Sequence, residues 1–164
     1  MVENPITLRN AAPEDIEFLA RLYSDTRQQE VAAFGWPLAQ QEMFLRMQFD
    51  AQCRSYRGAF PDAIDQIVCL DGSAIGRMLV SREPAGMHLI DFALLAGHRN
   101  HGIGTGLLSR LLQECEDQGM TLRLQVLQDN PAIRLYQRLG FVENGSDLMY
   151  IQMEQTPQRS QQRS

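Results

Sequence analysis

The chain has 164 residues, a formal net charge of −5, 44% hydrophobic and 21% charged residues. That length supports one domain with its own core, and the composition excludes disordered, collagen-like and disulfide-scaffold classes. All 15 basic residues are arginine, which excludes chemistries that need a lysine: a Walker-type phosphate loop, Schiff-base catalysis and protein-kinase transfer.

An acidic domain without a basic run repels nucleic acid. No stretch approaches the roughly 18 apolar residues of a membrane span. The opening MVENPITLRN has neither the basic start nor the apolar run of a secretory signal. Cys53, Cys69 and Cys115 are odd in number and widely spaced, which fits free thiols in a reducing compartment, not a disulfide or zinc framework. The expectation is a cytoplasmic protein with no metal, no membrane partner and no nucleic acid.

In chain order, Ile6-Thr7-Leu8-Arg9 alternates as a short strand, and Ala12-Pro13-Glu14-Asp15 opens a helix with Ile16, Leu19, Ala20 and Tyr23 on one face. Residues 26–37, with Gly35-Trp36-Pro37, read as a loop. Leu38 to about Tyr56 has a helical pattern through Phe44, Met47 and Ala51, and Pro61 closes it. Three strands follow: Gln66–Leu70, then Ala74–Arg82 after an Asp71-Gly72 hairpin turn, then Met87–Leu95. Gly102–Gln118 is an amphipathic helix with Ile103, Leu107, Leu108, Leu111, Leu112 and Cys115 on one side and Gly119 as C-cap. Leu122–Leu127 is a strand, and a helix capped by Asn130 with Pro131 at its first position runs to Leu139. Phe141-Val142 and Leu148–Met153 close the pattern as two strands. The order β-α-α-β-β-β-α-β-α-β-β predicts an α/β fold, a mixed sheet with helices on both faces. Residues 1–154 form the domain, and 155–164, QTPQRSQQRS, read as a disordered tail.

Chemistry concentrates in Arg99-Asn100-His101-Gly102-Ile103-Gly104-Thr105-Gly106, between a strand and a helix. Glycines there let backbone N–H groups converge at a helix N-terminus, an arrangement that binds phosphate without lysine, with His98, Arg99 and His101 adding positive character. From glycine spacing alone, a strand-to-helix turn that needs glycine for sterics remains equally open. A dinucleotide fingerprint is excluded, because the third glycine is missing and the unit follows a meander instead of opening a βαβ unit. The second stretch, Asn130 to Phe141, is by itself a capped amphipathic helix whose Tyr136 could be a core-edge aromatic.

Together the two stretches resemble the Gcn5-related N-acetyltransferase (GNAT) family. Its phosphate loop, Arg/Gln-x-x-Gly-x-Gly/Ala, is matched by Arg99, Gly102 and Gly104, and its Asn-Pro-Ala…Leu-Tyr…Gly-Phe helix by Asn130 to Phe141. The element order agrees over residues 5–154. Asn100 stands where a glycine is common. The segment Gln48–Gln52 with Trp36 upstream is similar to a bacterial subgroup of the family.

The resemblance implies an acetyl-CoA-dependent N-acetyltransferase acting on a small-molecule or peptide amine, with homodimerisation common among relatives. Acetyl-CoA would lie where the strand of residues 87–95 splays from that of 122–127. Phe92, Ala93 and Leu94 would pair with the pantetheine arm. Arg99, Asn100, His101, Gly102, Ile103, Gly104 and Thr105 would hold the pyrophosphate, and Asn130, or Asp129 one register away, would touch the arm. Tyr136 is the implied general acid and cofactor contact. His88, eleven residues before Arg99, is the candidate base; strand alternation puts Asp91 on the opposite face, as a catalytic-site residue that would bind the substrate cation or cap a buried network. Gln125 stands where some relatives carry a glutamate base. The acceptor site would come from residues 26–60, with Trp36, Phe44, Phe49, Tyr56 and Phe60 beside Glu30, Asp50 and Asp62. A non-catalytic acyl-CoA-binding or interaction module on the same fold is the alternative.

Overall fold

The computed structural model describes residues 6–157. Over these the chain runs β1 (Ile6–Asn10), α1 (Ile16–Ala32), α2 (Leu38–Ala59), β2 (Ile64–Leu70), β3 (Ser73–Glu83), β4 (Gly86–Leu94), α3 (Ile103–Gln118), β5 (Leu122–Leu127), α4 (Ala132–Arg138), β6 (Val142–Ser146) and β7 (Tyr150–Gln155), with single 3-10 turns at Pro13–Asp15 and Ala96–His98. This is the element order expected from the sequence. Hydrogen bonding arranges the strands as β1-β2-β3-β4-β5-β7-β6. The sheet is mixed: β4 and β5 are parallel, whereas β1/β2, β5/β7 and β6/β7 are antiparallel. The chain divides into two compact units. One holds the residues to Leu79 with Asp91–Arg99, the other Val80–Ile90 with the residues from Asn100 on.

In the first unit, Leu19 and Ala20 of α1, Phe49 of α2, and Ile67 and Cys69 of β2 form one buried cluster, flanked by Tyr23 and Cys53. The Asp15 carboxylate fixes the start of α1. It accepts two 2.8 Å bonds from the Arg9 guanidinium and one of 2.7 Å from the Ala12 N–H. Asp71 and Gly72 both have positive φ, +51° and +82°, as a two-residue turn between right-twisted strands requires.

In the helices of the first unit, three details differ from the sequence expectation. Residues 26–32, read as loop, continue α1. No glycine or proline interrupts them, and Val31 is buried; the break comes at Gly35, whose φ is +74°. On α2 the buried positions are Leu45 and Phe49, whereas Met47 and Ala51 face outward. Two apolar sets coexist on that helix, and the one carrying Phe49 joins the cluster. On α1, Ile16 is exposed and Leu22 takes the buried place.

In the second unit, Leu107, Leu108, Leu111 and Cys115 of α3 are buried, as are Leu122, Leu124 and Val126 of β5. Arg123 and Gln125 alternate with the latter and face out, so one face of β5 is covered. Gly119 ends α3 at φ +68°, the left-handed C-cap expected. The closing strand begins at Tyr150, not Leu148, because the Asp147 carboxylate accepts the Met149 and Tyr150 N–H groups and makes a turn there. Phe141 lies before β6 and is buried. Gln155 pairs with Leu122 in β7, so the ordered chain enters the segment read as tail; residues 158–164 of that tail lie outside the described residues. Cys53, Cys69 and Cys115 are free thiols, and burial raises the Cys115 thiol to about 11. Among the described residues no helix is long and apolar enough to cross a membrane.

This packing can be tested at two positions. A Cβ built on Gly76 of β3 would overlap the Ala93 carbonyl oxygen and lie 2.6 Å from Leu94 Cδ2. Gly76→Ala is expected to destabilise by about 1–3 kcal/mol, read as a lower Tm in thermal unfolding. Pairing with Arg9 and the Ala12 N–H holds the Asp15 carboxyl at about 2, against an ordinary 3.8. Its folded value is depressed, so its stabilising contribution is complete above the ordinary value and is lost as pH falls through about 2. Asp15→Asn removes that contribution at neutral pH. Chemical denaturation of the two proteins should give stabilities that converge as the pH is lowered.

Candidate functional site

The end of β4 leads into a braced turn. Leu94 is buried, with Phe92 and Ala93 partly so. Arg99 Nε donates to the Leu94 carbonyl at 2.9 Å, and its Nη2 donates to Asp25 Oδ2 at 3.1 Å. The same carboxylate oxygen accepts the Ala96 N–H at 2.9 Å. Arg99, expected at the phosphates, is thus engaged by the strand end and by α1. Nothing in the sequence pairs Asp25 with Arg99, because the two are brought together by the fold of α1.

The next residues form the loop that opens α3. Asn100 has φ +64° and Gly102 φ +82°. Asparagine is among the few residues other than glycine that enter this left-handed region routinely, so Asn100 meets the same backbone demand as the glycine it replaces. Gly102 is the N-cap of α3, and a Cβ there would meet nothing within 4 Å; its backbone angle, not crowding, calls for glycine. The first intrahelical bond runs from the Gly106 N–H to the Gly102 carbonyl at 3.0 Å. By helix geometry the N–H groups of Ile103, Gly104 and Thr105 have no partner within the helix. These donors, with the positive end of α3, make an anion-binding N-terminus. His101 is exposed beside them.

At the second stretch, the Asn130 side-chain oxygen accepts the Ala132 N–H at 2.9 Å. Asn130 thus satisfies an N–H at the start of α4, but the N-cap position is Pro131 and the helix begins at Ala132, one residue later than expected. Gln128, Asn130, Pro131, Arg134 and Gln137 line an open recess of about 540 Å³. Asp129, the register alternative, also lines the recess and is exposed. Tyr136 is buried, its ring 5.6 Å from that of Phe141 in an edge-on contact.

His88 and Asp91 lie in different surroundings. His88 is opposite Arg123 in the β4/β5 register. It lines a recess of about 270 Å³ with Arg123, Gln125, Asn144 and Gln152. Burial first, then the Arg123 charge, push its imidazole below the ordinary value. Asp91 meets Arg77 Nη1 at 3.4 Å. Arg77 in turn makes two short bonds to Asp65, 2.9 Å from Nε and 2.8 Å from Nη2. Burial pushes the Asp91 carboxyl up, Arg77 opposes it and Asp65 adds to it. Asp65 and Arg77 were missed by sequence reasoning. The signal was Arg77 within the apolar run Ala74–Val80, since a buried arginine demands carboxylates.

In residues 26–60, Phe34, Trp36 and Phe44 form an aromatic group with centroid separations of 5.0, 5.2 and 6.4 Å. Phe49 is in the core instead, and Tyr56 and Phe60 are half-buried. Glu30 pairs with Arg27 and Asp50 with Arg46, both at 3.4 Å; Asp62 is exposed. Among the described residues, no group of three or more His, Cys, Asp or Glu side chains could hold a metal ion.

Residues 19–141 match the model of the acetyltransferase (GNAT) family. The chain belongs to that family. Solved GNAT-like structures resemble it along nearly its whole length. A PaiA N-acetyltransferase from Thermoplasma acidophilum, in complex with coenzyme A, is 19% identical with a TM-score of 0.70, over 93% of this chain and 99% of that one. An acetyltransferase from Thermus thermophilus is 20% identical, TM-score 0.66, over 92% and 96%. Ard1 from Thermoplasma volcanium is 22% identical, TM-score 0.64, over 93% and 97%. At these identities the likeness is one of fold. No curated protein matches the chain in sequence.

The left-handed backbone at position 100 gives a test of the GNAT loop. Asn100→Gly should leave the Tm nearly unchanged. Asn100→Val, with a β-branched side chain at φ +64°, should cost about 1–2 kcal/mol and lower the Tm.

Proposed function

We propose that the chain is an acetyl-CoA-dependent N-acetyltransferase that acetylates a primary amine of a small molecule or peptide by direct attack in a ternary complex. The observation that carries this reading is the backbone of Asn100–Thr105. Two left-handed residues feed a helix whose first N–H groups are without intrahelical partners. Such a nest suits a pyrophosphate in a chain without lysine. Family membership over residues 19–141 supports it.

In this reading Asn100 to Thr105 hold the pyrophosphate of acetyl-CoA, and the backbone of Phe92, Ala93 and Leu94 pairs with the pantetheine arm. Arg99 contributes by bracing the Leu94 carbonyl, and Asn130 touches the arm. Acetyl-CoA supplies a thioester carbonyl and a thiol leaving group. An alkyl amine has a pKa of about 10 and arrives mostly protonated at neutral pH, so the enzyme must take a proton before the nitrogen lone pair can attack. As the C–N bond forms and the C–S bond breaks, the electron pair leaves with sulfur, and the Tyr136 hydroxyl protonates it.

In this reading the surroundings of His88 and Asp91 shift the two groups in opposite directions. The imidazole of His88, beside Arg123, is disfavoured as a cation and is a weakened base. Asp91 is a strengthened one, because burial raises its carboxyl above the ordinary value. We assign the amine proton to Asp91. The acceptor region is residues 26–60, where Phe34, Trp36 and Phe44 present aromatic surface.

Thermal unfolding with acetyl-CoA tests the reading. Ligand at about 100 times its Kd adds about 2.7 kcal/mol, a rise of roughly 5–11 °C for a chain of this size. Gly104→Arg should abolish the rise. Tyr136→Phe should keep it and lower kcat by about a hundredfold or more on any acetylated amine. No rise at saturating acetyl-CoA would overturn the proposal in favour of an interaction module.

A further inference from the structure

The Asp65–Arg77–Asp91 group holds one cation and two carboxylates, so it carries an unbalanced negative charge when both acids are ionised. The geometry decides where that charge sits. Arg77 presents its Nε and Nη2 edge to Asp65 in a fork of 2.9 and 2.8 Å, the bidentate form that satisfies a carboxylate most fully. Asp91 receives from Arg77 only the 3.4 Å contact of Nη1. The Arg77 side chain is 8% exposed, whereas those of Asp65 and Asp91 are 28% and 27% exposed. The guanidinium is therefore enclosed, and both carboxylates retain an open side.

We propose that Asp65 is a positioning residue for acetyl transfer: by occupying the fork of Arg77, it leaves the Asp91 carboxylate under-compensated and able to accept the proton of the acceptor amine. The inference rests on the assignment of that proton to Asp91. In the transfer, the N–H bond of the substrate ammonium breaks, its electron pair stays on nitrogen, and the proton forms an O–H bond on Asp91. No other co-reactant is needed.

The groups that face Asp91 are Asp65 on β2, Arg77 on β3 and Arg27 on α1, with the Phe92 backbone N–H. Cys53 on α2 acts on Arg77 from the helix side. Arg77 opposes protonation of Asp91 and Asp65 promotes it. The substitutions therefore have opposite signs. Asp65→Asn releases the fork of Arg77 towards Asp91 and makes it a weaker base. The double variant Asp65→Asn/Arg77→Met removes both charges, leaves no enclosed cation unpaired, and makes Asp91 a stronger base. Asp65→Glu preserves the pairing charge.

The experiment has two readouts on the full chain. The first is a carboxyl-carbon NMR titration of Asp91 without acceptor or acetyl-CoA. Relative to the unsubstituted protein, Asp65→Asn should titrate lower, the double variant higher, and Asp65→Glu close to it. The second is the pH profile of kcat/KM for an acetylated amine. Its acid limb should move in the same order, and Asp91→Asn should lose about a hundredfold or more in kcat. Should Asp65→Asn fail to fold, the upward shift of the double variant still decides the matter. An Asp91 titration that is unmoved in the folded variants overturns the proposal, because a purely structural Asp65 predicts that result. An acid limb that stays fixed while the titration moves also overturns it. Absence of acetyl transfer by the unsubstituted protein, with the titration order intact, overturns the functional reading and the positioning role with it, while the charge coupling stands measured.

Discussion

A guanidinium taken out of water has to be met by carboxylates, and Arg77 imposes that demand in the middle of β3. Its neighbours Ile75, Met78 and Leu79 are buried, so no water-facing escape exists for the charge. Asp65 answers from β2 and Asp91 from β4. The pairing couples three strands, while burial, opposed by Arg77, pushes the Asp91 carboxyl of β4 above its ordinary value. The same strand then runs to Leu94, whose carbonyl is held by Arg99. One ionic requirement thus shapes the character of the strand from which the loop departs.

In the proposed function the loop would have to bind phosphate in a chain with no lysine. Side-chain cations play a smaller part than their number suggests: Arg99 is drawn to Leu94 and Asp25. What remains is backbone. Two residues with positive φ turn the chain into α3, and the helix supplies donors that its own geometry leaves over. Asn100 illustrates the tolerance of this design, since the position requires a left-handed conformation and not a particular side chain.

His88 and Asp91 lie on the same strand three residues apart, yet their surroundings push their titrations in opposite directions. His88 faces Arg123 and a recess rich in carboxamides, where the bulge at Glu143/Gly145 places Asn144. Asp91 faces an arginine already engaged by another acid. Residue type alone favoured the histidine as base, because its ordinary pKa lies nearest neutrality. Burial, the first cause of both shifts, lowers the imidazole and raises the carboxyl, and so narrows that difference.

Much of this protein was legible in its sequence because the relevant signals are local. Element order, the Asp71-Gly72 turn, the Gly119 cap, the Asn130 bond at the start of α4 and the glycines of the loop all depend on residues within a few positions of one another. The length of α1 and the buried face of α2 were read less well. Local pattern allowed two answers there, and the packing of Phe49 on Leu19 and Ile67 chose one. Asp25 against Arg99 had no sequence signal, and Arg77 within an apolar run called for carboxylates without saying that Asp65 and Asp91 would supply them. Those contacts join residues 74, 12 and 14 positions apart. Periodicity and spacing determine what a segment becomes. Which charge meets which, and which group is buried, is decided only when separate strands and helices are brought together, because electrostatic energy depends on distance in space and not along the chain.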